Sequence, residues 1–279
     1  LAVLFAACGV DTVRVTGGEP LVRPEVYKLV AGLKAIPGIR RVALTTNGTL
    51  LADQLPELLA AGLDSVNISL DALSPERFRT ITGRDELDRV EAGIRAALAS
   101  GLPVKLNCVP QAGVNEEELV PLAALAQDLP LQVRFIEMMP IGYGSALPGI
   151  PGPKVLDRLK EAWPELTPLP AEQSAALGDG PAVYYSAPGW QGSVGLIAAV
   201  HGKFCARCNR VRLTSRGFLR PCLASDAGIN LREPLRAGAP DEELLELIRT
   251  GIREKPREHH FEEDSGGCPV SQGMYRIGG

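Results

Sequence analysis

Over the first half of the chain, short apolar runs alternate with amphipathic stretches. This alternation restricts the fold more than any other feature of the sequence. Strand-like runs occur at residues 11–16 (DTVRVT), 41–46 (RVALTT), 65–70 (SVNISL), 104–109 (VKLNCV) and 131–137 (LQVRFIE), and helix-like segments separate them at 24–35, 52–61, 87–100 and 116–128. Glycine closes two of these helices, in AAGLDS and ASGLPV, as a C-terminal cap does. Strands spaced by helices imply βα units, right-handed crossovers and a parallel sheet. Polar or glycine-rich segments follow the strands: TGGEP, TTNG, SLD and EMMPIG. Chemistry collects at the carboxyl ends of strands in such folds, so these four segments are expected to ring one pocket.

The pattern changes after about Gly142. Residues 144–153 and 164–180 are rich in Pro, Gly and Ala and read as loops. Two strands are expected at 182–187 and 193–200, a helix at 242–253, and a polar, weakly structured tail at 256–279. The chain has 279 residues, 45% of them hydrophobic, which is enough for one large domain or a large and a small one. With 22% charged residues and a net charge of -4, it carries no electrostatic footprint for nucleic acid or a membrane surface. The opening LAVLFAAC reads as the end of an amphipathic helix, not a signal peptide. Six cysteines are too few for a disulfide scaffold, and a cytoplasmic enzyme is expected.

The densest chemical signal is HGKFCARCNRVRLTSRGFLRPC. Cys205 and Cys208 form a CxxC, and Cys222 follows after 13 intervening residues. Three thiolates at this spacing can grip one metal centre. A structural zinc site needs a fourth ligand, for which His201 or Cys268 would serve. A three-cysteine [4Fe–4S] cluster leaves one iron open to a small molecule. Spacing alone leaves both standing. Arg207, Arg210, Arg212, Arg216 and Arg220 crowd the same stretch. Arg210 and Arg212 would share one face of a strand, suited to bidentate phosphate binding. The plainer reading is a solvated basic strand.

Elsewhere, Gly17 and Gly18 let backbone amides approach a ligand, and Glu19 could take a cationic amine. Thr45, Thr46, Asn47, Ser69 and Asp71 end strands, where the same residue types also serve as caps and turn formers. Lys105 with Asn107, and Arg134 with Ile136, alternate on their strands. Cations pointing inward need an anion, or else they face solvent at the strand ends. His259 and His260 are expected to be exposed. Cys8 and Cys108 are expected to be inert core thiols, and Gly278–Gly279 by itself reads as a frayed end.

RVTGGEPLVR, LTTNG, VNISLDAL, RFIEMMPIG, FCARCNRVRLTSRGFLRPCL and the terminal GG together resemble the MoaA family. These are radical S-adenosylmethionine (SAM) enzymes acting as GTP 3′,8-cyclase in molybdenum-cofactor biosynthesis. The resemblance implies an α/β fold. Residues 1–142 would form an incomplete (βα) TIM-type barrel of the radical SAM type. Residues 143–279 would form an α+β extension over its open side. It implies SAM contacts at Gly17, Gly18, Glu19, Ser69 and Met139, and GTP contacts at Arg14, Thr45, Lys105, Arg210, Val211 and Arg212. Arg134 would be an active-site arginine, and Gly278 and Gly279 would reach into the active site. Cys205, Cys208 and Cys222 would hold a C-terminal [4Fe–4S] cluster whose open iron takes guanine. An electron donor and a downstream cyclic pyranopterin synthase are implied as partners, and a homodimer is left open.

One departure bears on activity. The family holds a second [4Fe–4S] cluster, the one that cleaves SAM, in a CxxxCxxC motif after the first barrel strand. No such motif occurs in these residues. The chain is therefore expected to be N-terminally truncated, with the first strand missing, and inactive as it stands. A non-catalytic GTP-binding remnant is the alternative, and another radical SAM enzyme with an auxiliary cluster is a third.

Overall fold

The computed structural model describes residues 1–178, 180–202, 204–259 and 261. His260, Cys268, Gly278 and Gly279 lie outside the described residues. The first half alternates as expected: α1 (Ala2–Ala7), β1 (Thr12–Val15), α2 (Val26–Lys34), β2 (Arg41–Thr46), α3 (Leu51–Ala60), β3 (Ser65–Ser69), α4 (Pro75–Thr82), α5 (Leu87–Ala99), β4 (Val104–Cys108), α6 (Leu119–Asp128) and β5 (Gln132–Ile136). The second half holds α7 (Gly152–Ala162), β6 (Thr167–Pro168), α8 (Ala171–Ala176), β7 (Val183–Ser186), β8 (Ser193–Ile197), β9 (Arg212–Leu213), β10 (Phe218–Arg220), β11 (Ile229–Asn230), α9 (Arg232–Ala237) and α10 (Asp241–Arg253). Residues 144–153 and 164–180, read as loops, contain the start of α7 and all of β6 and α8.

One sheet of eight strands runs in the order β1-β2-β3-β4-β5-β8-β7-β6. β1 to β5 and β8 are parallel, and β7 and β6 add an antiparallel edge. The sheet thus continues across the change of pattern at Gly142. β9, β10 and β11 form a separate small antiparallel sheet.

The two faces of the large sheet differ sharply. Val42, Leu44, Val66, Ile68, Leu106, Val133, Phe135 and Val194 are buried on one face. Helices with apolar residues at turn spacing cover it: Leu51, Leu55 and Leu58 on α3, Leu87, Val90, Ile94 and Ala97 on α5, and Leu119, Leu122, Ala123 and Ala126 on α6. Burying each of the larger side chains contributes about 1.5–3 kcal/mol. At the ends of α3 and α5, Gly62 and Gly101 adopt φ of 89° and 77°, a left-handed cap that a β-carbon would strain.

The other face is polar. Cross-strand partners share a face in a pleated sheet. The pairs Arg14↔Ala43, Thr45↔Asn67, Asn67↔Lys105, Asn107↔Arg134, Arg134↔Gly195 and Tyr184↔Gly195 therefore lie together. A second apolar cluster joins α1 to the small sheet and α10, through Leu4, Phe5, Leu219, Leu231, Leu244 and Ile248. No helix among the described residues is long and apolar enough to cross a membrane.

Candidate functional site

Parallel strands bring their carboxyl ends to one edge of the sheet, so the segments after β1, β2, β3 and β5 lie along that edge. Gly17 and Gly18 follow β1, and a Cβ added at either would meet nothing within 4 Å, so the backbone there borders open space. Glu19 is engaged by the fold itself. Its Oε1 accepts from the Leu21 amide at 2.9 Å and from Thr46 Oγ1 at 2.7 Å, and its Oε2 accepts from the Asn47 amide at 2.6 Å. The carboxylate thus joins the turn after β1 to the end of β2. Ser69 is exposed at the end of β3. Met139, half-buried after β5, packs on Ile141.

The polar face carries a connected network. Asn67 Nδ2 donates to Thr45 Oγ1 at 3.2 Å. Arg134, 4% exposed, donates from Nε and Nη2 to Asn107 Oδ1 at 2.9 and 2.7 Å, and from Nη2 to Asn67 Oδ1 at 3.0 Å. Arg134 therefore points inward, and two amide oxygens fix its plane without neutralising it. Lys105 donates to the carbonyl of Leu177, just past α8.

Arg14, Arg134, Arg210 and Arg212 converge on this face. Burial lowers the pKa of each, and like charge adds to the effect at Arg14, Arg134 and Arg212. Arg14 falls to about 10 under burial and the charges of Arg134, Arg210 and Arg212, although its residue surface as a whole is exposed. Burial and Arg210 lower Arg134; burial lowers Arg210; burial and Arg210 lower Arg212. Among the described residues none of the four pairs with a carboxylate. Four guanidinium groups held together in this way are stabilised by an anion.

Not all the arginines of the cysteine segment join them. Arg220 is 2% exposed and pairs with Asp226 Oδ1 at 3.0 Å, while Arg207 and Arg216 are exposed. Only Arg210 and Arg212 face the site, and Arg210 precedes β9, so the two reach it without sharing a strand. Val211 between them packs into the cluster of α1 and α10.

Cys205, Cys208 and Cys222 are half-buried free thiols. Burial opposes ionisation of Cys208, but the Arg210 amide and Lys255 outweigh it and bring its pKa below the usual thiol value. Lys255 Nζ donates to Cys208 Sγ at 3.2 Å and to the Arg210 carbonyl at 2.6 Å. By donor chemistry, three free thiols with one thiolate favoured fit a metal–sulfur centre. No three Cys, His, Asp or Glu among the described residues are gathered closely enough to hold a metal ion. Cys108 is buried and accepts from Asn115, and Cys8 packs in the α1–α10 cluster, so neither stands in for a CxxxCxxC. His259, expected to be exposed, is 7% exposed and stacks on Phe261 with ring centroids 4.4 Å apart.

Sequence reading passed over Glu137, Tyr184 and Lys255, whose roles arise only from tertiary contacts. Glu137, just after β5, is 5% exposed. It accepts from the amides of Val200 and His201 at 2.8 and 3.0 Å, and from the His201 ring. It thus ties the start of the cysteine segment to the sheet. Burial opposes ionisation of Glu137, but His201 and the two amides prevail and hold its pKa below the ordinary carboxylate value. A lowered pKa stabilises the fold above the ordinary carboxylate range, and that contribution is lost as pH falls through the folded value. Glu137→Gln is expected to cost about 1–3 kcal/mol at pH 7. Thermal melts of both proteins should converge as pH falls through and below the ordinary carboxylate range, and equal melting temperatures at pH 7 would refute the tie.

Residues 2–126 match the Radical SAM superfamily model, and residues 131–261 match Molybdenum Cofactor Synthesis C. GTP 3′,8-cyclase of Moorella thermoacetica is 45% identical over 282 residues, covering 100% of this chain and 85% of that protein. GTP 3′,8-cyclase of Heliobacterium modesticaldum is 46% identical over 281 residues, with the same coverage. Molybdenum cofactor biosynthesis protein 1 of Bos taurus is 44% identical over 262 residues, covering 93% of this chain and 41% of that protein. The chain belongs to the GTP 3′,8-cyclase family of the radical SAM superfamily. That superfamily works with SAM and a [4Fe–4S] cluster.

Proposed function

We propose that the chain is a GTP 3′,8-cyclase, a radical SAM lyase that converts GTP to (8S)-3′,8-cyclo-7,8-dihydroguanosine 5′-triphosphate in the first step of molybdenum-cofactor biosynthesis. The observation that carries this reading is the group of four arginines, none paired with a carboxylate among the described residues, beside three free thiols. A triphosphate supplies the missing negative charge. The relatives named GTP 3′,8-cyclase supply the choice of nucleotide.

In this reading Arg14, Lys105, Arg210 and Arg212 bind the phosphates, with Thr45 and the Val211 backbone completing the GTP site. Arg134, fixed by Asn67 and Asn107, presents a charge of constant orientation to the reacting nucleotide. Gly17, Gly18, Ser69 and Met139 border the SAM site, and Glu19 shapes its turn. Gly278 and Gly279 are assigned to the active site by family resemblance alone. Cys205, Cys208 and Cys222 would hold the [4Fe–4S] cluster that takes guanine. When bound, SAM and its own cluster supply the 5′-deoxyadenosyl radical that removes the ribose 3′-hydrogen. No CxxxCxxC for that second cluster occurs in these 279 residues. The residues described orient the nucleotide, match its charge and exclude water.

The sheet is read as an incomplete (βα) barrel, residues 1–142, completed by the extension at 143–279. Arg14 on β1 and Tyr184 on β7 sense each other's charge, yet six strand spacings would set them about 29 Å apart in a flat sheet. Curvature of the polar face accounts for their proximity. Free thiols suit a reducing cytoplasm, an external electron donor and a cyclic pyranopterin synthase to consume the product. A homodimer is left to measurement.

The test is anaerobic incubation of the reconstituted chain with GTP, SAM and a reductant, preceded by GTP titration. Saturable GTP binding is expected of these 279 residues, and the 3′,8-cyclised nucleotide is expected only where ligands for the SAM-cleaving cluster are also supplied. Absence of saturable GTP binding would overturn the reading whatever the state of the SAM-cleaving cluster.

A further inference from the structure

Tyr184 stands where Arg14, Arg134 and Arg210 meet, on a strand that carries no recognisable motif. β7 places it opposite Gly195 on β8, and β8 places Gly195 opposite Arg134 on β5, so the three share the polar face. Gly195 matters here because it lacks a side chain. A Cβ there would lie 2.8 Å from Tyr184 Cε1 and 3.2 Å from Arg134 Cγ. The phenol ring therefore crosses β8 directly over the glycine and reaches toward Arg134. It is 3% exposed, and its oxygen lies near enough to the Arg134 guanidinium to interact with its charge.

A hydroxyl set among guanidinium groups can only accept from them, so it must direct its own proton elsewhere. The charged groups around it, Arg14, Arg134 and Arg210, are donors without acceptor capacity. Among the described residues the hydroxyl donates to no acceptor. An anion held by the same arginines would provide one. Burial pushes the phenol pKa up, which keeps the proton on the oxygen at neutral pH.

We propose that Tyr184 contacts the substrate, its hydroxyl donating a hydrogen bond to a phosphate oxygen held among Arg14, Arg134 and Arg210. The inference rests on the nucleotide reading of the arginine site. It explains why a phenol, and not a further cation, fills this position. A neutral donor adds a fixed hydrogen bond without adding to the repulsion between guanidinium groups.

Tyr184→Phe removes one oxygen and keeps the ring over Gly195. GTP and inorganic tripolyphosphate are titrated into the reconstituted wild type and variant over a range of salt. Both ligands should bind the variant about tenfold more weakly. The slope of log affinity against log salt should not change, because no charge contact is lost. Unchanged affinity would overturn the proposal. So would a shallower slope, which would mean that the tyrosine acts only by placing an arginine. Wild-type binding of tripolyphosphate without GTP would defeat the nucleotide reading and leave the tyrosine contact to be decided by the tripolyphosphate arm. Binding of neither would remove both.

Discussion

Arg210→Ala and Arg212→Ala are each expected to weaken GTP binding by about 1.5–3 kcal/mol, the range for hydrogen bonds to charged groups, or about 10- to 150-fold. The ligand-free chain should respond in the opposite direction. Arg210 and Arg212 are both held below their ordinary pKa by burial, Arg210 further depresses Arg212, and both depress Arg14. Removing either relieves repulsion, so the melting temperature without ligand should stay level or rise. Opposite signs for binding and stability mark a site arranged for an anion that the protein itself does not supply. Lysine at either position should recover only part of the affinity, because it keeps the charge and loses the planar fork. Titration calorimetry at fixed salt, paired with thermal melts, measures both. GTP affinity left intact by both alanine variants would remove the arginines from the substrate site.

The second large effect concerns the thiols. Anaerobic reconstitution of the wild type is expected to give a brown protein with about one four-iron cluster per chain from Cys205, Cys208 and Cys222. Changing any one of the three to serine should strip most of the iron and sulfide, whereas Cys8→Ser should retain them. Glu137 and Lys255 fix the stretch from Val200 to Arg210 that carries two of the three thiols. Elemental analysis decides the matter. A colourless protein holding one zinc per chain would favour the structural-zinc reading that the spacing also allows.

Much of the scaffold was readable before any coordinates. Residues 41–46 are one of the clearest strands because Val42 and Leu44 alternate with residues of the other face. α5 is equally clear, since Leu87, Val90, Ile94 and Ala97 recur at helical spacing. α7 was missed because Gly152 and Pro153 resemble a loop, although proline is at home in the first turn of a helix. β9 and β11 are too short to show any period. In the site, residue type was a good guide and partner identity was not. Arg210 and Arg220 look alike in sequence, but one faces three other arginines and the other is closed off by Asp226. Glu19 sits in a ligand-binding motif and yet spends its oxygens on three internal donors. Tyr184 depends on a glycine of the neighbouring strand, five strands away from Arg14, a pairing that no local pattern announces.

The sheet order has a consequence for how the chain is made. β5 has β8 as its outer neighbour, and roughly 60 residues separate the ends of the two strands. At synthesis rates of about 5–20 residues per second, the outer edge of β5 emerges and waits about 3–12 s for its partner. During that interval Val133 and Phe135 lie on an unprotected strand, a template for pairing with a neighbouring nascent chain. Translation speed across residues 137–192 therefore bears on the yield of folded protein, independently of the stability of the finished fold.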